Sequence, residues 1–144
     1  MSLVNSLRYK LSLALRALTR ARYRFYKVKV GVGVFISTGA YIDTSYPDSI
    51  TIGDGSFITR DVKLVAHDHS VYRMAGAEHD NGRGKIVIGR NVFIGVGAII
   101  LRNVNIGDNS IIGAGSVVVN DVPTNVVVAG NPAKVIKEFI PRTE

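Results

Sequence analysis

The sequence predicts an all-β fold, a parallel β-helix in which a short strand and a turn repeat along one axis. Three observations predict it. Between residues 88 and 118 every sixth residue is Ile or Val: Ile88, Ile94, Ile100, Ile106, Ile112 and Val118. Glycine often follows that position, at Gly89, Gly95, Gly107 and Gly113. Four residues after it stands a small or β-branched residue, at Val92, Ala98, Val104, Ser110, Ser116 and Val122. A period of six fits neither the 3.6 of a helix nor the 2.0 of a flat strand. It describes repeats that each point one aliphatic side chain inward, and stacking them buries a continuous core. The same phase appears earlier at Val30, Ile36 and Ile42, and at Ile52, Ile58 and Leu64.

Composition narrows the chemistry. The chain has 144 residues, the size of one domain, and 47% are hydrophobic, enough for a core. It has no cysteine, which excludes disulfides, thiolate metal sites and a Cys nucleophile. No apolar run is long enough to span a bilayer. The N-terminus lacks the pattern of a secretory signal, so a cytoplasmic location is expected. The net charge of +7 is concentrated. Residues 1–42 hold eight basic side chains and no acidic one; residues 43–144 hold ten basic and eleven acidic.

Residues 1–27 form the first unit. Positions 2–26 read as a basic amphipathic helix, with Leu3, Leu7, Leu11, Leu15 and Leu18 on one stripe. One reading packs these leucines on the open end of the solenoid as a cap. A second lays the helix on an anionic membrane surface as a peripheral contact. Nucleic acid is not expected as a partner, because no aromatic or groove-reading pattern accompanies the charge.

Residues 28–137 form the β-helix unit, and 138–144 a tail. The phase breaks between Ile42 and Ile52, where Asp43-Thr44-Ser45-Tyr46-Pro47-Asp48 reads as an expanded turn. Residues 66–85 hold no hexad and form a long loop with all three histidines, closing on Asn81-Gly82-Arg83-Gly84. A long excursion inside a tight solenoid is usually functional. Residues 86–130 are regular again. Pro123, Asn131 and Pro132 end the repeat, and residues 133–139 read as a short closing helix or strand.

The loop carries the candidate chemistry in Ala66-His67-Asp68-His69-Ser70. In extended backbone His67 and His69 point to the same side. A neutral imidazole can take a proton from a hydroxyl near pH 7. His79 is a candidate partner. Three histidines can also hold zinc, as in the β-helical gamma-class carbonic anhydrases, but the spacings of two and ten here are unspecific. No metal is expected.

The segments Ile50-Thr51-Ile52-Gly53-Asp54, Val65-Ala66-His67-Asp68-His69-Ser70, Ile112-Gly113-Ala114-Gly115-Ser116 and Ala129-Gly130-Asn131-Pro132-Ala133-Lys134 resemble a known family. It is that of the hexapeptide-repeat O-acetyltransferases, of the maltose, galactoside, nodulation-factor and polysaccharide type. The resemblance runs from about residue 50 to residue 137. It implies a left-handed parallel β-helix assembled as a homotrimer, with acetyl-coenzyme A as donor and a sugar hydroxyl as acceptor, in polysaccharide or glycan synthesis. His69 matches the family's catalytic histidine, a general base in direct transfer, with His67 beside it. Donor contacts match Val96, Gly97, Ala98, Ala114, Gly115 and Asn120, and Lys134 and Lys137 match a basic pair that meets the phosphates. Candidates for the acceptor are Thr38, Tyr41, Asp43, Tyr72 and Arg73. The alternatives are transfer to an amine, as in antibiotic acetylation, and a non-catalytic β-helix scaffold.

Overall fold

A computed structural model describes residues 3–76, 78 and 80–140 of the chain. Twelve short strands wind four full coils. The first coil is β1 (Lys29–Val30), β2 (Phe35–Ile36) and β3 (Tyr41–Ile42); the second is β4 (Ile50–Ile52), β5 (Phe57–Ile58) and β6 (Lys63–Leu64). The third is β7 (Ile86–Ile88), β8 (Phe93–Ile94) and β9 (Ile99–Ile100); the fourth is β10 (Val104–Ile106), β11 (Ile111–Ile112) and β12 (Val117–Val118). Equivalent strands stack into three parallel sheets, β1-β4-β7-β10, β2-β5-β8-β11 and β3-β6-β9-β12. The register is in phase: Ile52 pairs with Ile88, Ile58 with Ile94, and Leu64 with Ile100. The hexad positions from Val30 to Val118 all lie in one buried cluster. The serines at the second inward position are buried but bonded, as when Ser56 Oγ donates to the Gly89 carbonyl at 2.8 Å.

Corners carry Asn, Asp or Gly because the turn needs a left-handed residue. Asn91, Asn109 and Asn125 have φ of 54°, 59° and 60° and form a hydrogen-bonded ladder along one edge. Gly55 takes the equivalent corner one coil earlier at φ 68°, where an added Cβ would collide with the Asn91 side chain.

The far end closes with a strand. β13 (Val126–Gly130) extends the second sheet, and β14 (Ala133–Glu138) folds back antiparallel on it. At the near end lies α1 (Leu3–Phe25). It covers the first coil mainly with its polar side; of the stripe leucines whose burial is described, Leu15 alone lines the hollow against Phe35 and Ile36. Leu7, Leu11 and Leu18 are 70%, 61% and 67% exposed, while Tyr23 is 6% exposed. The leucine cap expected from the sequence is therefore corrected.

Backbone hydrogen bonding gives the reason. Each coil donates N–H groups to carbonyls of the next. Gly31 donates to Ile52, Phe35 to Ser56 and Tyr41 to Val62, at 2.8–2.9 Å. The first-coil carbonyls equivalent to these acceptors belong to Val30, Val34 and Ala40, and no coil lies beneath them. Arg24 Nη2 donates to Val30 (2.8 Å), Arg20 Nη1 to Val34 (3.2 Å) and the Tyr23 hydroxyl to Ala40 (3.1 Å). Leucines would leave those acceptors unpaired, at about 1–3 kcal/mol each when buried. The end of a β-helix therefore selects a polar helix face.

Tyr23→Phe should lower the unfolding free energy by about 1 kcal/mol, and Ile58→Ala, fully buried, by about 2–5 kcal/mol. Leu11→Ala should change it by less than about 0.5 kcal/mol, as an exposed site. Denaturant unfolding of the three variants checks this order.

Candidate active site

The two interruptions of the hexad phase fall on the same edge, between the third and first sheets. Asp43 directly follows β3, and its N–H bonds the Leu64 carbonyl at 3.0 Å. Its side chain turns inward and is 1% exposed. Oδ1 accepts the Ser45 N–H at 3.0 Å, while Oδ2 accepts the Ala66 N–H at 3.0 Å and meets His67 Nδ1 at 2.5 Å. Burial pushes the Asp43 carboxyl up, but the bonds from Ser45 and His67 outweigh it and hold the group below its ordinary value. An ionised carboxylate only accepts, so the His67 proton sits on Nδ1. The lone pair of the neutral ring is then on Nε2.

His67 lines a cleft of about 240 Å³ with Val65, Asp68, Leu101, Arg102, Asn103 and Val119. Arg102 forms an ion pair with Asp80, and that pairing with the Gly82 N–H holds the Asp80 carboxyl below its ordinary value. The loop is pinned at its base. His67 bridges Arg83 in antiparallel fashion, Asp68 N–H bonds the Gly82 carbonyl and Gly84 N–H the Ala66 carbonyl. A short helix α2 (Ser70–Ala75) lies inside it.

His69 is not extended. Its φ and ψ of −96° and 12° start α2, which corrects the expectation of two side chains on one extended strand. The rings still meet, 5.5 Å apart edge to face. His69 Nε2 lies 3.2 Å from the Tyr46 hydroxyl. Gly82, at φ 73°, passes so close to the His69 ring that a Cβ would overlap it.

The other expected residues separate into groups. Asp43 is corrected from acceptor contact to buried support, because its carboxylate is spent on Ser45, Ala66 and His67. Tyr72 stands 6.0 Å from the His69 ring, and Arg73 follows on the same helix. Asn120 adjoins Val119 of the cleft. Val96, Gly97, Ala114 and Gly115 lie on the neighbouring edge, between the second and third sheets. There Gly115 N–H bonds the Val96 carbonyl at 2.8 Å, and Gly97 and Gly115 open onto free space. Ala98 is corrected: its methyl is in the core, its N–H bonds Gly95 and its carbonyl accepts Lys63. Thr38 lines a hollow under α1 with Ser12 and Phe35, and Tyr41 stands on the outer face of the third sheet. Lys134 and Lys137 are exposed on β14.

His79 lies outside the described residues. Among the described residues no three or more His, Cys, Asp or Glu side chains form a group able to hold a metal ion. Sequence reasoning missed Tyr46, Arg83, whose guanidinium lies 4.4 Å over the Tyr46 ring, and the Arg102–Asp80 pair. The phase break around Tyr46 was the available signal.

The model for bacterial transferase hexapeptide repeats matches residues 85–120. Protein CapG of Staphylococcus aureus is 46% identical over 132 residues, covering 90% of this chain and 76% of CapG. The chain belongs to the hexapeptide-repeat transferase family. Galactoside O-acetyltransferase of Escherichia coli is 44% identical over 91 residues, 63% of this chain and 45% of that protein. A hexapeptide-repeat acetyltransferase of Vibrio cholerae, solved with acetyl-coenzyme A, superposes with a TM-score of 0.69 at 29% identity. It is covered over 62% of its length, and 80% of this chain is matched. The polysialic-acid-specific acetyltransferase NeuO superposes at 0.67 and 33% identity, over 81% of this chain and 55% of that one. The chain thus spans under two thirds of the last three proteins. The fold class is the left-handed parallel β-helix of this family.

The pH dependence of stability reports on Asp43. Its carboxyl is more acidic folded than unfolded. Its contribution is therefore full above the unfolded value, about 4, and is lost as the pH falls through the lower folded value. Asp43→Asn should flatten the acid limb of the stability–pH curve relative to wild type, as measured by denaturant unfolding between neutral and acid pH.

Proposed function

We propose that this protein transfers an acetyl group from acetyl-coenzyme A to a carbohydrate hydroxyl. One observation carries the reading: a buried carboxylate holds the Nδ1 proton of an imidazole that lines an open cleft. Relatives named as galactoside and polysialic acid O-acetyltransferases support the acceptor class, and the Vibrio cholerae acetyltransferase solved with acetyl-coenzyme A supports the donor. A scaffold has no use for a buried, ionised carboxylate aimed at a half-exposed histidine, and burying such a charge is costly unless it is bonded.

In this reading His67 is the general base. Nε2 takes the proton of the acceptor hydroxyl as that oxygen attacks the thioester carbonyl. The tetrahedral oxyanion collapses, the C–S bond breaks, and the leaving sulfur recovers the proton from His67. The products are an acetyl ester and free coenzyme A. Asp43 fixes the tautomer and stabilises the imidazolium formed during transfer, the role of the acid in a Ser-His-Asp triad. His69, the base implied by resemblance, stands beside it with Tyr46, positioned to meet the acceptor with Tyr72 and Arg73.

The donor lies along the edge of Val96, Gly97, Ala114 and Gly115, with Asn120 at the cleft and Lys134 and Lys137 for the phosphates. The outer face of the third sheet separates that edge from His67 within one chain. We therefore place the site in a homotrimer, where the glycine edge of one copy meets the His67 edge of the next. Phe35, Phe57 and Phe93, stacked on the outer face of the second sheet, supply apolar surface for assembly. Membrane-linked glycans are acceptors that α1 would bring within reach.

A second reading takes the hydroxyl of an amino acid as acceptor. Serine acetyltransferases among the relatives favour it, one of them 35% identical over 136 residues. Coenzyme A release, measured over a panel of sugars, oligosaccharides and serine, separates the two. His67→Gln should reduce kcat by about 10²–10⁴-fold, and His69→Ala by less. Release with serine alone, or loss of activity in His69→Ala with His67→Gln active, overturns the acceptor or the base respectively.

A further inference from the structure

Among the described residues, Leu7, Leu11, Leu18 and Phe25 of α1 stand exposed, without cover from the rest of the chain. Leu7, Leu11, Leu18 and Phe25 follow at spacings of four, seven and seven, which keeps them on one narrow stripe. Phe25 is 83% exposed, more than any of the three leucines. The opposite face, Ser12, Arg16, Arg20 and Tyr23, meets the first coil; Arg16 lies 4.5 Å over the Phe35 ring and lines the hollow beside it with Ser12 and, at the margin of the stripe, Leu15. The helix is therefore fastened by its polar side with its apolar side turned outward.

We infer that this outward face binds an anionic lipid surface. Charge decides the occupant. Arg8, Lys10 and Arg22 are exposed on α1 alongside the leucines, and residues 1–42 contain no acidic side chain. Packing the same stripe from a second copy would crowd like charges, with no acid on the helix to pair them. A bilayer of anionic headgroups accepts both features: the leucines enter the acyl boundary and the basic side chains reach the phosphates. Residues 43–144 are nearly neutral, so the attraction is local to this end. The membrane then lies across the first coil, and His67, which follows the second coil, lines its cleft near it. No described helix is long and apolar enough to cross a membrane. The inference stands apart from the acyl-transfer reading.

Flotation of the full chain with vesicles tests it. Phosphatidylcholine vesicles containing phosphatidylglycerol should carry the protein, pure phosphatidylcholine vesicles far less, and added salt should weaken binding. The variant Leu7→Gln/Leu11→Gln/Leu18→Gln should keep the wild-type melting temperature and bind anionic vesicles at least about tenfold more weakly. Arg8→Gln/Lys10→Gln should also weaken binding. Absence of wild-type flotation overturns the inference, as does undiminished binding by the leucine variant. A fall in oligomeric mass of the leucine variant by light scattering, without vesicle binding by wild type, assigns the face to another copy instead.

Discussion

Coil-to-coil backbone hydrogen bonding is the interaction on which the rest depends. It stacks equivalent residues above one another and so converts a period in sequence into rows in space. It also has ends. In every interior coil the carbonyls at the first and second inward positions accept from the coil before, as Ile88, Val92 and Ala98 accept from Gly53, Phe57 and Lys63. In the first coil the same carbonyls must find other donors. Arg24, Arg20 and Tyr23 supply them, so α1 stands in for a missing coil. Leu7, Leu11 and Leu18 face outward as a consequence, because one helix face cannot be both a donor row and an apolar stripe.

The same stacking makes the site. Ile42 lies over Leu64, so the residues that leave β3 and β6 start from one place on the edge. Asp43 turns in and the chain after β6 passes beside it, which brings residues 24 positions apart into contact. Both departures from the hexad occur at this edge. The coils set the distance between carboxylate and imidazole, and the pinned base of the loop keeps it. A loop without that foundation would hold its histidines in no fixed tautomer.

Much of this was legible in the chain. The inward row from Val30 to Val118 followed from its period, since only one side chain per turn can point into a narrow solenoid. The helix at residues 2–26, the phase break after Ile42 and the long loop before residue 86 were equally readable. The direction of α1 was not, because an apolar stripe says nothing of the unpaired carbonyls it would meet. Nor was the Asp43–His67 pair: it depends on the register of β3 and β6, which local pattern does not state. Ala98 read as a donor contact by resemblance, yet its own place in the phase is inward. His69 drew attention by resemblance, while the buried carboxylate that fixes a ring proton is bonded to His67.

The central claim is that Asp43 fixes the proton of His67 on Nδ1 and leaves Nε2 free for the acceptor. Long-range ¹⁵N–¹H correlation spectra of the histidine rings test it most directly, with His67 assigned through His67→Gln. The account predicts that neutral His67 is the Nδ1–H tautomer, that Asp43→Asn disturbs this preference, and that its Nε2 signal shifts when acceptor is added. A neutral His67 protonated on Nε2, or an acceptor-dependent shift at His69 with His67 unmoved, would contradict it.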